Sequence, residues 1–142
     1  MSNPLDISVL LTALKNENNE TVMDLNNEKI KQMKVSMINK LNLSSEASEK
    51  ILQALTSYRY VDELPEINFG SYVRWIPLKN VSEAKLTPGG FVCDVKIDEG
   101  ISIVCKNIRN RHFQFRMGEC LIFQKLSKQE QVLLSALDYL DK

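Results

Sequence analysis

The sequence predicts an α+β protein in which about three N-terminal helices precede a small five-stranded antiparallel β-barrel and a C-terminal capping helix. Three observations carry that expectation. Up to Tyr58 apolar residues recur at helical spacing, beyond it they alternate, and after Leu126 the helical period returns. The turn residues change with the period, from Asn- and Ser-rich breaks to Pro88-Gly89-Gly90 and Asp98-Glu99-Gly100. The length of 142 residues, with 44% hydrophobic and 25% charged side chains, suits one globular domain or one small domain with an appendage, and excludes collagen-like and low-complexity chains.

The first helix is expected over about 4–15. Asn3 can cap it, Pro4 suits its first position, and Ile7, Leu10, Leu11 and Leu14 form one apolar face. The polar run from Asn16 to Glu20 competes with the backbone for hydrogen bonds and reads as a flexible linker. A second helix over about 24–41 has Ile30, Met33, Met37, Ile38 and Leu41 as its stripe, with lysines mainly on the solvated side. A third, over about 45–58, has a serine cap, Glu46 and Glu49 at the positive end of its dipole, and Ile51, Leu52 and Leu55 for burial. The helical segment spans 1–62, with a hinge around Pro65, and the barrel with its helix spans 63–142.

Ser71 to Leu78 is rich in β-formers and closes on Pro77. Phe91 to Ile97 alternates, which turns Phe91, Cys93, Val95 and Ile97 inward. A three-residue loop ending in Gly100 leads to Ile101, Ile103 and Cys105 on the same inner face. A four-residue loop with Asn available for positive φ precedes a strand that turns Phe113, Phe115 and Met117 inward, and Cys120 to Gln124 is the last strand. Ser127 and Glu130 form a capping box for a helix over about 128–141, which is expected to cover an open end of the barrel.

One long connection followed by three tight ones resembles the small SH3-like barrels, from about Phe69 to Leu126, although the connection Lys79 to Thr87 lacks the acidic, aromatic character of proline-peptide binders. An OB-like barrel or a curled meander fits the same strand count. The stretches Phe-Gly-Ser-Tyr-Val-Arg-Trp-Ile (69–76), Pro-Gly-Gly-Phe-Val-Cys-Asp (88–94), Cys-Leu-Ile-Phe-Gln-Lys-Leu (120–126) and Leu-Ser-Ala-Leu-Asp-Tyr-Leu (134–140) resemble an uncharacterised family of mimivirus-like large DNA viruses. That resemblance implies cytoplasmic replication and a virion or replication-factory role; it carries no activity and no site residues.

A formal net charge of zero excludes a whole-protein field able to hold an acidic polymer. The zero is a sum of opposites: residues 1–68 carry 7 basic and 10 acidic side chains, and 69–142 carry 11 and 8. Between Lys106 and Arg116 there are four cations and no acid. Arg74, Lys106, Arg109, Arg111 and Arg116, with Tyr72 and Trp75 nearby, are therefore the candidate single-stranded nucleic-acid or anion site, phosphate neutralisation supplying affinity and ring stacking supplying tolerance of sequence. Ile7, Leu10, Leu11, Leu14 and Trp75 are the candidate protein-interaction surface, for a partner or for a second copy. A helix-turn-helix reading of Met37 to Leu55 places Glu46 and Glu49 where phosphates and base edges need cations, which favours an ordinary helical hairpin.

Catalysis has no motif to rest on: the single histidine, His112, has no partnered nucleophile, and no Gly-rich phosphate loop follows a strand. Cys93, Cys105 and Cys120 show no C-x-x-C pairing and read as buried free thiols of a reducing compartment. Alternation separates them from His112, so neither a metal nor a cofactor is expected, and no small-molecule substrate is evident. No apolar run reaches the ~20 residues of a membrane helix, and the first residues resemble neither a secretory nor a transit peptide, so a cytoplasmic protein is expected. The reading is a non-enzymatic structural or protein-interaction module, with single-stranded nucleic-acid binding as the alternative.

Overall fold

The computed structural model describes residues 7–79 and 84–140. The expected cap of the first helix, at Asn3 and Pro4, lies outside the described residues, as does part of the long connection. Helices α1 (Ile7–Lys15), α2 (Asn27–Asn39) and α3 (Ser45–Ala54) precede six strands, β1 (Tyr58–Val61), β2 (Tyr72–Pro77), β3 (Gly90–Ile97), β4 (Ile101–Lys106), β5 (His112–Arg116) and β6 (Cys120–Lys125), and α4 (Lys128–Leu140) closes the order. The chain groups into two compact units. One combines residues up to Gln32 with those from Leu126 onward, and the other runs from Met33 to Lys125. The division expected near residue 62 is thereby corrected: it falls inside α2 and again at the end of β6, because α1 shares a core with α4 whereas the end of α2 and α3 share one with the sheet.

In the helical unit Ala13, Val22, Ile30, Leu126, Leu133 and Leu134 pack together, with Leu10 and Leu25 partly buried beside them. The face of α1 that packs is thus Leu10 and Ala13, while Ile7, Leu11 and Leu14 are 70%, 50% and 48% exposed. The expected flexible linker is ordered instead. Asn16 caps a 3-10 turn over Glu17–Val22, and the Gln129 side-chain oxygen accepts from Asn16 Nδ2 at 2.8 Å and from buried Asn19 Nδ2 at 3.1 Å. Asparagine amides bond well to neighbouring backbone and to each other's carboxamides, so polarity here builds a turn rather than dissolving one. The α4 capping box forms as expected: Glu130 N–H donates to Ser127 Oγ at 3.1 Å and Ser127 N–H to Glu130 Oε1 at 2.9 Å.

The other unit is built on one antiparallel sheet in the order β1-β6-β2-β3-β4-β5. The five expected strands are all present and adjacent, but a sixth, β1, occupies the outer edge of β6. Its residues, Tyr58-Arg59-Tyr60-Val61, lie where the sequence predicts the end of the third helix and the approach to the hinge; that helix ends at Ala54, and the aromatic and β-branched side chains of 58–61 favour an extended strand. β1 and β5 remain as edges with no ladder between them, so the sheet is open and the closed five-stranded barrel is corrected to a curled six-stranded sheet.

The concave face buries Val61, Val73, Trp75, Val92, Ile103, Cys105, Phe115 and Ile122. The opposite face of β1, β6 and β2 packs Tyr58, Tyr60, Ile76, Leu121 and Phe123 against Ile38, Leu41 and Leu55. Buried Arg59 is held by Glu66 at 2.9 Å, the same carboxylate accepting the Asp62 and Glu63 N–H groups. The inward assignment of Phe91 and Cys93 is reversed: both are exposed and Val92 is buried. A β-bulge shifts the register between Val92 and Asp94, and one extra residue exchanges the faces on either side of it.

Candidate functional site

The sheet curls until side chains of β2 and β5 meet across its mouth. Trp75 of β2 stacks on Phe115 of β5, with ring centroids 4.2 Å apart and planes 22° from parallel. A cavity lies on each side of this stack, and Trp75 lines both.

The first is an open groove of about 560 Å³ walled by Tyr72, Trp75, Pro88, Ile108 and Phe113, with Arg109 at its rim. Its wall at residues 87–89 is fastened along β2: Thr87 N–H donates to the Trp75 carbonyl at 2.9 Å, and Trp75 N–H to Thr87 Oγ1 at 3.2 Å. Tyr72 Oη donates to the Pro88 carbonyl at 2.6 Å, and the Tyr72 ring meets Phe91 edge-on at 5.0 Å. Gly89 is required there. Its φ is +92°, and a Cβ would collide with the Val73 carbonyl oxygen, so only glycine lets the loop lie this close to the strand.

The opposite wall is the β4–β5 loop. Asn107 Oδ1 accepts from the Arg109 and Arg111 N–H groups at 2.9 and 3.0 Å, and Asn110 takes the left-handed conformation that the sequence allowed for, φ 66°. This small framework holds Ile108 out with 89% of its surface exposed. Phe113, expected in the core, faces the same concave side as Phe115 but at the mouth, where it is 44% exposed. Aromatic and apolar side chains standing open around one groove, with a guanidinium and no carboxylate among the lining residues, can take an apolar segment that carries negative charge.

The second cavity, about 760 Å³, mixes signs: Lys79, Lys96 and Arg116 with Asp98 and Glu119. The five candidate cations do not line one cavity together. Arg109 lines the aromatic groove, Arg116 lines the second cavity and donates to the Glu99 carbonyl at 3.3 Å, and Arg74 spends its Nε on the Thr87 carbonyl at 2.8 Å. Lys106 stands opposite His112 in the ladder, and neither Lys106 nor Arg111 lines either cavity. Of the candidate interaction residues, Trp75 is buried at the junction of the two cavities and Ile7, Leu10, Leu11 and Leu14 belong to the helical unit. Sequence reading set Tyr72 and Trp75 near the candidate cations but missed Pro88, Ile108 and Phe113 as their companions; the available signal was a large apolar residue, Ile108, at a loop tip beside cations.

The Cys105 and Cys120 thiols are not poised as nucleophiles. Burial, with Cys93 nearby, pushes Cys105 up to about 12, and burial together with the Glu119 charge pushes Cys120 up to about 11. Cys93, expected to be buried, is exposed, and its Sγ lies 3.5 Å from the Val104 carbonyl. Among the described residues no three His, Cys, Asp or Glu side chains gather as a metal site, and no helix is long and apolar enough to cross a membrane. No protein-family model, curated protein or solved structure matches this chain.

Proposed function

We propose that this chain is a non-enzymatic protein-interaction module whose aromatic groove takes an extended, apolar and acidic segment of a protein partner. The observation that carries the reading is the open groove of Tyr72, Trp75, Pro88, Ile108 and Phe113 rimmed by Arg109. Large rings and arginine are the side chains that concentrate binding energy in interfaces, the rings because they bury much area at a modest entropic cost and arginine because its planar fork makes several charge-assisted hydrogen bonds. Of Arg74, Lys106, Arg109, Arg111 and Arg116 only Arg109 lines the aromatic groove, and Arg74 and Arg116 donate to backbone carbonyls, which weighs against the nucleic-acid alternative, where cations stand beside the stacking rings. The five strands β2 to β6 act in this reading as an SH3-like scaffold, and the setting is the cytoplasm or particle of a large DNA virus, as the family resemblance implies.

The test is a random peptide library displayed on phage and panned on the folded chain, with Phe113→Ala as counter-selection. Sequences should be enriched that join an apolar or aromatic residue to Asp or Glu, and as synthetic peptides they should change the emission of the single tryptophan, Trp75. Phe113→Ala should weaken them about tenfold or more, the loss of one anchoring ring. No enrichment over the Phe113→Ala protein, or binding of oligothymidine that falls steeply with salt while no peptide binds, overturns the reading.

A further inference from the structure

We propose that the partner segment binds as an added β-strand on the free edge of β5, an inference that rests on the groove reading and gives it a geometry. β5 is the last strand of the sheet and pairs only with β4. At the hairpin end Asn107 N–H donates to the Arg111 carbonyl at 3.0 Å. Antiparallel ladders alternate between pairs that exchange hydrogen bonds and pairs that do not. Counting by twos from Asn107 and Arg111, Cys105 with Phe113 and Ile103 with Phe115 are the exchanging pairs. The backbone N–H and C=O groups of His112 and Gln114 and the N–H of Arg116 therefore point away from β4 with no neighbouring strand to receive them, while the Arg116 carbonyl caps the 3-10 turn at Met117–Glu119.

This edge runs between the two cavities: Phe113 lines the groove, while Gln114, Phe115 and Arg116 line the second. A strand laid on β5 thus has main-chain partners at every second residue and a place for an apolar side chain beside Phe113, which is how β-augmentation combines affinity with selection.

Charge decides the occupant. From Lys106 to Gly118 the chain has Lys106, Arg109, Arg111 and Arg116 and no carboxylate, so a strand bearing Asp or Glu is complementary to β5 and its hairpin loop, above all at the groove end, away from Asp98 and Glu119 of the second cavity. A second copy of β5 is not: antiparallel self-pairing about Gln114 sets Arg116 of each chain beside His112 of the other with no acid in either strand. Cations on an exposed edge are a recognised guard against self-pairing, and here they leave an acidic strand as the fitting partner.

The experiment uses the full chain and a synthetic peptide of about twelve residues alternating Val or Phe with Asp or Glu, together with variants N-methylated at one position each. Binding is read by Trp75 emission and by amide hydrogen exchange. The amides of His112, Gln114 and Arg116 should become protected on binding while Phe113 and Phe115, already bonded to β4, stay unchanged. N-methylation should weaken binding about tenfold at every second peptide residue, the loss of one main-chain hydrogen bond, and little at the residues between. Binding that tolerates N-methylation evenly, with the β5 amides unprotected, overturns strand addition and leaves the groove reading standing. Failure of every acidic apolar peptide to change emission or exchange overturns both. Protection of the β5 amides that grows with protein concentration in the absence of peptide assigns the edge to a second copy and overturns the acidic-strand assignment.

Discussion

Cys105 shows how much a single buried group decides. It sits in the concave core, where burial pushes its thiol from an ordinary 9.0 up to about 12, and Cys120 follows to about 11. Burial raises the Tyr58 and Tyr60 phenols as well. A raised acid keeps its proton in the folded chain after the unfolded chain has released it, so its contribution to stability is complete below pH 9 and drains away as pH climbs from 9 toward about 12. The urea midpoint should accordingly hold steady up to about pH 9 and fall beyond it, and Cys105→Ala should flatten that fall. An equal slope in the variant would remove Cys105 from the account. Gly89 offers a second check at this scale. Gly89→Ala should destabilise by about 1–3 kcal/mol in urea unfolding, since the positive φ and the clash with the Val73 carbonyl act together, and it should blunt any peptide-induced change in Trp75 emission because Gly89 lines the groove. A fully stable, fully responsive variant would show that the loop does not need to lie against β2.

Among elements, α1 makes the sharpest contrast between pattern and packing. The sequence offered Ile7, Leu10, Leu11 and Leu14 as one apolar face for docking in cis or on a partner, yet the helix meets its unit through Leu10 and fully buried Ala13. A small residue permits close approach and outweighs a larger side chain one turn away. Leu11→Gln should then shift stability by no more than about 0.5 kcal/mol, while Ala13→Leu should cost about 1–3 kcal/mol through overpacking. Equivalent losses in urea unfolding would restore the face the pattern suggested. Elements whose boundaries are set by local chemistry were legible: the hairpin at Gly100, the loop closed by Asn110, and α4 with its Ser127 and Glu130 box. Features that depend on pairing over distance were not. β1 follows a helix with no Gly, Pro, Asn or Asp between them to announce it, the bulge at Cys93 leaves no mark in composition, and the open edge of β5 follows from strand order. The candidate site divides in the same way. Arg109 stood out as a loop cation, whereas Tyr72, Pro88 and Phe113 converge only because the sheet curls.

At the scale of the molecule, the charge asymmetry survives the redrawn boundary. The helical unit carries 5 basic and 8 acidic side chains and the sheet unit 13 and 10, so the zero total conceals −3 and +3 in either division. Each unit also has a core of its own: Ala13, Val22, Ile30, Leu133 and Leu134 in one, the two faces of the sheet in the other. Separate cores imply separable stability, because a cavity opened in one removes contacts from that core alone. Leu133→Ala deletes a fully buried side chain of α4 and should cost the helical unit about 2–5 kcal/mol. Trp75 reports on the sheet unit only. In urea the variant should lose part of its far-ultraviolet helical signal well before its tryptophan emission moves, and the emission midpoint should match that of the unaltered chain. Because α2 runs through the boundary after Gln32, the opposite outcome is equally definite: if helix signal and emission fall together at one lowered midpoint, α2 couples the two cores into a single cooperative fold, and the peptide groove then depends on the helical unit for its stability.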